Sequence, residues 1–386
     1  MRQLLNNRYI NFIKGIIKHW PESILSIWSF ARFLFFRIEK KTSLLVEPNA
    51  FHAEVLPGFC KYFDDLGYRV ILFCRYANAN EGVFCRCSKT PQTFVFSPFW
   101  MRIALQMNKL RGIDFVFFTS KKMFDPYVHI WGDYIGCLKS MPKVRIGCFF
   151  VEHRFEPDNQ TKSEDYQNTF LLSAQSYDGI DLPMLNPHWF GEVIHTRLNL
   201  DKRIFIFIGG GAIYKQNIKE LMEIVRVLEH QHQFEVWVIG NGTDSFSAEA
   251  PPKSMHFFGR LPFDMMYKLL EKADFLLPLL DPANEKHQQY LHGTTSGSRQ
   301  LILGFNKVAI IHDEFAKRYD FNEYNSVLYG SCGFPSAMTR ALSMTEKEYI
   351  LLQNNLKALS QVIYNESLAN LYKRMLVRRL TNVLQN

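Results

Sequence analysis

Apolar side chains recur at helical spacing through the first forty residues. Leu5, Tyr9, Phe12, Ile13, Ile16 and Ile17 form one stripe, with Arg8, Lys14 and Lys18 beside it. Pro21 breaks the pattern, and a second apolar stretch runs from Ile24 to Phe36. The spacing predicts one or two amphipathic helices over 1–40. From residue 42 the pattern changes to short apolar runs alternating with helical stretches. Strands are predicted at 43–46, 69–73, 93–96, 114–119 and 145–151. Val55, Phe59, Phe63 and Leu66 share one helix face between the first two, Gly67-Tyr68 ends that helix, and further helices are predicted near 99–110 and 130–141. A second series gives strands at 203–208, 234–239, 255–258, 274–280, 307–311 and 326–329. Its first helix carries Ile218, Leu221, Met222, Val225 and Leu228 on one face, with Asn217 and Glu220 at capping-box spacing. The tail reads as helical from Thr345, which has Glu348 three residues on.

Strand and helix in alternation give mostly parallel sheets. The pattern therefore predicts an α/β protein with two tandem Rossmann-like, doubly wound domains behind N-terminal amphipathic helices. The expected divisions are 1–41, a basic amphipathic segment; 42–195 and 196–344, the two domains; and 345–386, C-terminal helices.

Composition changes this picture at two points. The 386 residues are 47% apolar and 21% charged, which excludes a disordered chain. The formal charge is +8, and +6 of it lies in residues 1–41 (Arg2, Arg8, Lys14, Lys18, Arg32, Arg37, Lys40 and Lys41 against Glu22 and Glu39). A nucleic-acid binder spreads a basic stripe over its domain. A local excess, interleaved with aromatic residues, points to attachment at an anionic membrane surface instead. The run 24–36 contains Arg32 and is too short to span a bilayer, for which ~20 apolar residues are needed. Seven cysteines (Cys60, Cys74, Cys85, Cys87, Cys137, Cys148 and Cys332) include no CxxC pair. With no signal-peptide pattern, they favour a reducing, cytoplasmic compartment and a protein peripheral to the inner face of the membrane.

Three loops of the second series carry candidate chemistry. Ile208-Gly209-Gly210-Gly211-Ala212-Ile213-Tyr214-Lys215 runs from the first strand into a helix. Glycines there let backbone N–H groups approach a phosphate, and the helix N-terminus adds its dipole. The spacing is not GxGxxG, so the dinucleotide fingerprint is not met. Gly210, Gly211 and Lys215 are candidates for holding a diphosphate. His292-Gly293-Thr294-Thr295-Ser296-Gly297-Ser298-Arg299-Gln300 leads into an apolar helix, and its hydroxyl and glycine residues form an anion nest. The candidates there are His292, Thr294, Thr295, Ser296, Gly297, Ser298 and Gln300. Gly240-Asn241-Gly242 is the third loop, with Asn241 as its candidate. Ligands of open α/β sheets bind along the C-terminal strand edge, where all three loops are expected to converge.

Taken in order, the strand ending in Gly209-Gly210-Gly211, the strand ending in Gly240-Asn241-Gly242, Phe258-Gly259-Arg260, 273–278, and the Gly/Ser/Thr helix start followed by 303–310 resemble the donor half of a GT-B-fold glycosyltransferase, similar to glycosyl transferases group 1 (family 4). The resemblance covers roughly 200–330. It implies a nucleotide-sugar donor bound in an interdomain cleft, no required metal and no cofactor; the sequence also lacks an Asp-x-Asp motif. It further implies that the first strand-to-helix loop of the first domain, which offers Glu47, Asn49, His52 and Glu54, faces the cleft. His52 and Glu54 are then the candidate catalytic bases. Glu152-His153-Arg154 is a second polar cluster on the same expected edge. One departure stands out. The family carries two Glu eight positions apart near this helix, whereas here no acid lies between Glu285 and Asp313, and His292 and Gln300 have that spacing. Retention of anomeric configuration is therefore not implied. The expected function is transfer of a sugar to a hydroxyl of a glycan or lipid-linked acceptor, in surface glycan synthesis of bacterial type. The alternatives are a sugar-nucleotide epimerase of the same fold or a non-catalytic nucleotide- or glycan-binding protein.

Overall fold

The computed structural model describes residues 20–50, 52–120, 141, 143–153, 168–175, 182–194, 198–292, 294–330 and 333–384. The chain divides into two compact units: Met1–His153, Pro157–Leu171 and Leu368–Asn386 form one, and Arg154–Glu156 and Leu172–Ser367 the other.

The first unit contains α1 (Trp20–Phe35), β1 (Thr42–Glu47), α2 (Leu56–Asp65), β2 (Arg69–Cys74), α3 (Tyr76–Asn80), β3 (Gln92–Val95), α4 (Pro98–Leu105), β4 (Phe115–Phe118), β5 (Gly147–Glu152) and β6 (Thr169–Leu171). Its strands form one parallel sheet in the order β3-β2-β1-β4-β5-β6. Leu44 of β1 lies between Ile71 and Val116 in register. β1 and β4 are buried along their whole length, as strands covered on both faces are, and they carry the apolar runs Leu44–Val46 and Phe115–Phe118. Aromatic rings fill both sides: Phe33 meets Phe73 edge-on at 5.0 Å, and Phe63 meets Phe117 at 5.2 Å. α1 closes the β3 edge. Ser29 Oγ accepts from the Val95 amide at 3.1 Å and Ser26 Oγ from the Ser97 amide at 2.7 Å, so edge donors are satisfied by side chains. Glu22 takes two bonds from Arg75, at 2.8 and 2.9 Å, in a buried ion pair.

The second unit contains β7 (Arg203–Ile208), α5 (Lys215–Leu228), β8 (Phe234–Ile239), β9 (Met255–Gly259), α6 (Phe263–Lys272), β10 (Phe275–Leu276), α7 (Glu285–His292), α8 (Gly297–Phe305), β11 (Val308–His312), α9 (Asp313–Arg318), β12 (Val327–Tyr329), α10 (Phe334–Ser343) and the start of α11 (Glu346–Leu384), which from Leu368 onward counts with the first unit. The sheet order is β12-β11-β10-β7-β8-β9, again all parallel. Read from the edge, both sheets run third, second, first, fourth, fifth, sixth. This is the doubly wound α/β architecture that the alternation predicts. In each sheet the winding reverses beside the first strand, at β1/β4 and at β7/β10, and the C-terminal strand ends at such a reversal are where ligands of open α/β sheets bind.

The structure corrects several local expectations. β10 spans only two residues of the predicted 274–280. Leu277 makes the last ladder bond, to Ile206 O at 2.8 Å; Pro278 has no N–H to give, and Leu279 turns left-handed at φ 51°. Asp274 serves instead as an anchor, accepting from the Ile204 and Asn199 amides at 2.7 and 3.0 Å. Asn217 does not cap a helix. α5 begins at Lys215, and Asn217 within it accepts from Asn284 Nδ2 at 3.2 Å. Thr345 and Glu348 do form the reciprocal box, with the Thr345 amide to Glu348 Oε2 at 2.9 Å and the Glu348 amide to Thr345 Oγ1 at 3.3 Å. The helix predicted near 99–110 stops at Leu105 and is followed by a 3-10 turn over Asn108–Gly112. The stretch 5–17 and, but for Met141, the stretch 130–141 lie outside the described residues.

Candidate functional site

In the first unit, acids and histidines gather at the C-terminal ends of β1, β4 and β5. Glu47 is the last residue of β1 and is fully buried. Its Oε1 accepts from the Asn49 amide at 2.8 Å, and its Oε2 lies 2.5 Å from Thr119 Oγ1, immediately beyond β4. Burial pushes the Glu47 carboxyl up to about 7, against the hydrogen bonds that favour its ionised form. His52 follows in the loop, held left-handed at φ 67°, a conformation rare outside glycine. That turn lays its ring on His153 beyond β5, with centroids 4.7 Å apart, and brings Nδ1 within 3.3 Å of Glu54 Oε1. His153 Nε2 donates to Thr119 O at 2.6 Å.

The two histidines are driven apart in charge. For His52, burial opposes protonation, but the Glu54 hydrogen bond and the Glu54 and Glu47 charges outweigh it, so its pKa rises. Burial, reinforced by the neighbouring His52 charge, drops His153 to about 4 and keeps it neutral. Glu54, which burial alone would raise, is held below its ordinary value by His52. His52 and Glu54 side chains remain 33% and 28% exposed, so this pair is reachable from solvent while Glu47 is not. An imidazole tied at Nδ1 to a carboxylate keeps Nε2 available as a proton acceptor.

In the second unit, the three glycine-bearing loops lie against one another. The Gly209 amide donates to Ile239 O at 3.0 Å and the Gly211 amide to Asn241 O at 2.9 Å, which zips the loop after β7 to the loop after β8. A Cβ at Gly211 would sit 2.8 Å from Gly242 O, and one at Gly240 only 1.8 Å from Gly209 O. The third loop joins through Tyr214. Its buried phenol shares hydrogen bonds with Ser296 and Tyr290, and its ring lies 4.8 Å from His287. Lys215 begins α5 and is exposed, as are Asn241 and, at the first position of α8, Gly297. Ser296 caps α8, its Oγ accepting from the Ser298 amide at 3.3 Å while its own amide donates to Tyr319 Oη at 3.1 Å. Thr295 and Ser298 are buried beside it, and Thr294 Oγ1 is buried with no partner among the described residues.

His292 and Gln300 are not equivalent. His292 is exposed in the last turn of α7, whereas Gln300 is buried and donates to Asn186 Oδ1 at 3.3 Å, as does Arg299 at 3.0 Å. Sequence reasoning did not single out His287. It is fully buried at the β7/β10 reversal and its Nδ1 accepts from the Asp281 amide at 3.0 Å, which leaves Nε2 as the protonated nitrogen. Its sequence signal is weak, one of two histidines on a largely polar helix. Glu47 carried a clearer one, an acid directly after the apolar run Leu44-Leu45-Val46. Among the described residues no three His, Cys, Asp or Glu side chains are grouped to hold a metal ion.

No family model matches the chain, and no curated protein matches it. Solved structures do. The glycotransferase of kitacinnamycin superposes with a TM-score of 0.51 at 10% identity, over 87% of this chain and 99% of that one. An α-glucosyltransferase in complex with UDP and a mismatch-containing DNA gives 0.51 at 11% identity, over 87% and 95%. Sucrose-phosphate synthase from Thermosynechococcus elongatus gives 0.49 at 10% identity, over 89% and 100%. At these identities the likeness is one of fold, and that fold is GT-B, with two Rossmann-like domains in tandem.

Proposed function

We propose that the protein is a glycosyltransferase that moves a sugar from a nucleotide-sugar donor to a hydroxyl of a glycan or lipid-linked acceptor, in surface glycan synthesis at the inner face of a membrane. The observation that carries this reading is that the chain holds two differently equipped switch points, one in each unit. One carries the glycine loops, the hydroxyl-bearing start of α8 and the exposed Lys215, the other His52, Glu54, Glu47 and His153. The first set suits a diphosphate and the second suits proton transfer. One of the similar structures holds UDP, which fits a nucleoside diphosphate as the leaving group.

In the proposed reaction the donor diphosphate binds at the glycine loops and the start of α8, near Gly210, Gly211, Lys215, Asn241 and Thr294–Ser298. The acceptor hydroxyl passes its proton to His52 Nε2 while its oxygen bonds to the anomeric carbon. The bond from that carbon to the diphosphate oxygen breaks, and its electron pair leaves with the diphosphate. Fixed N–H groups and Lys215 stabilise that developing charge without reorganising. Glu54 orients His52 and stabilises the imidazolium. The reaction as proposed needs no divalent metal.

The test is a thermal-shift screen with UDP, GDP, CMP and ADP sugars, followed by donor-turnover assays with and without EDTA. A stabilising donor that is slowly hydrolysed, in EDTA as well, supports the reading. An isomerised donor would mark an epimerase, and binding without turnover a non-catalytic protein. Turnover abolished by EDTA and restored by Mn²⁺ would overturn the metal-free mechanism.

A further inference from the structure

α1 is amphipathic in the wrong sense for a helix that only packs on its own domain. Its inward stripe is Glu22, Ser26, Ser29 and Phe33, three of them polar and all buried. Its outward stripe is Ile24, Ile27, Trp28, Leu34 and Phe35, with Trp28 67% and Phe35 90% exposed. Arg32 in the last turn of α1 and Arg37, Lys40 and Lys41 after it are all exposed. The two acids of this stretch are neutralised: Glu22 by Arg75, and Glu39 by Arg69 at 2.6 Å.

The end of α11, in the same unit, repeats the design. Tyr372, Leu376, Leu380 and Leu384 recur every fourth residue on its outer face and are 42–87% exposed. Lys373 and Arg379 flank them, and no acid follows Glu366 in the sequence. The inner side of this helix is fixed to the N-terminal end of β5, where Asn382 Nδ2 donates to Ile146 O at 2.7 Å. A groove is lined by Lys41 from the segment after α1, Tyr68 from the start of β2, and Tyr372, Leu376 and Arg379 from α11.

We infer that these two helix faces bind an anionic phospholipid surface together, with a headgroup phosphate seated between Lys41 and Arg379. This deepens the peripheral-membrane part of the proposed function and stands whether or not sugar transfer does. Charge complementarity names the occupant. A partner protein would have to supply a broad acidic and apolar face, whereas an anionic bilayer offers acyl chains to the leucine and aromatic stripes and phosphates to the arginines and lysines. Neither helix crosses the membrane; among the described residues no helix is long and apolar enough.

The test is flotation of the full chain with phosphatidylglycerol-containing vesicles and with pure phosphatidylcholine vesicles. The expected result is binding to the anionic vesicles only, released by high salt. Three double variants divide the surface: Trp28→Glu with Phe35→Glu, Leu376→Glu with Leu380→Glu, and Lys41→Ser with Arg379→Ser. Each is expected to lower partitioning roughly tenfold or more while leaving the melting temperature unchanged. If a glutamate pair lowers the melting temperature, the corresponding serine pair takes its place. Wild-type protein that ignores anionic vesicles would overturn the inference. So would α11 and groove variants that bind like wild type, because only α1 would then be engaged. Donor turnover measured on the same samples separates loss of attachment from loss of the enzyme.

Discussion

Replacing Glu47 by Gln is expected to stabilise the first unit at and above neutral pH, by an amount that grows with pH. The folded carboxyl titrates at about 7, raised by burial from an ordinary value of 4.5. It therefore holds its proton more tightly folded than unfolded. The stability this contributes is complete below about pH 4.5 and is lost as pH rises through about 7. At about 1.4 kcal/mol per pH unit, that interval corresponds to roughly 3 kcal/mol. The hydrogen bonds explain why Gln escapes the loss. Thr119 has one hydroxyl proton but two acceptors in reach, Val46 O at 3.1 Å and Glu47 Oε2 at 2.5 Å. A protonated carboxyl donates to Thr119 Oγ1 and frees the hydroxyl proton for Val46. The Gln amide does the same at every pH, while its oxygen still accepts from Asn49. Melting curves of both proteins from pH 5 to 8.5 read the difference. The gap should be small at pH 5 and reach roughly 6–12 °C above pH 8, at about 2–4 °C per kcal/mol for a unit of this size. Parallel curves across the range would refute the argument that Glu47 is held protonated.

Two further outcomes follow from the same structure. On the proposed reaction, His52→Ala lowers turnover by roughly 10²–10⁴-fold. The wild-type rate rises with pH as His52, its pKa raised above 6.5 by its carboxylate neighbours, gives up its proton; a rising limb that persists unchanged in the variant would assign the base elsewhere. Gly240→Ala places a Cβ 1.8 Å from Gly209 O and forces the two loops apart, so it should cost about 2–4 kcal/mol in the second unit and weaken donor binding together; an unaltered melting temperature would contradict that packing.

The apolar periodicity by itself determined the architecture. Alternating strand and helix runs gave the α/β class and the two tandem sheets, because a strand covered on both faces is largely apolar and a covering helix is apolar on one side. Strands 203–208 and 234–239 were legible to the residue for that reason. So was the Thr345–Glu348 cap, whose bonds span three residues and need no partner from elsewhere. Strand order was not legible, because parallel pairing joins residues with no sequence signature of their own; the register of Leu44 with Val116 is written nowhere in either segment. For the same reason the sequence could propose His52 and Glu54 but could not find that Thr119 ties Glu47 to β4, or that the His52 ring lies on His153, a hundred residues away. His287 was missed because a histidine acquires chemical meaning only from its surroundings, here burial beside Tyr214. The basic charge of the N-terminal segment was plain in the sequence. That α1 turns Ser26 and Ser29 inward and Trp28 outward was decided by the third dimension, since the β3 edge offers N–H groups and only polar side chains can satisfy them.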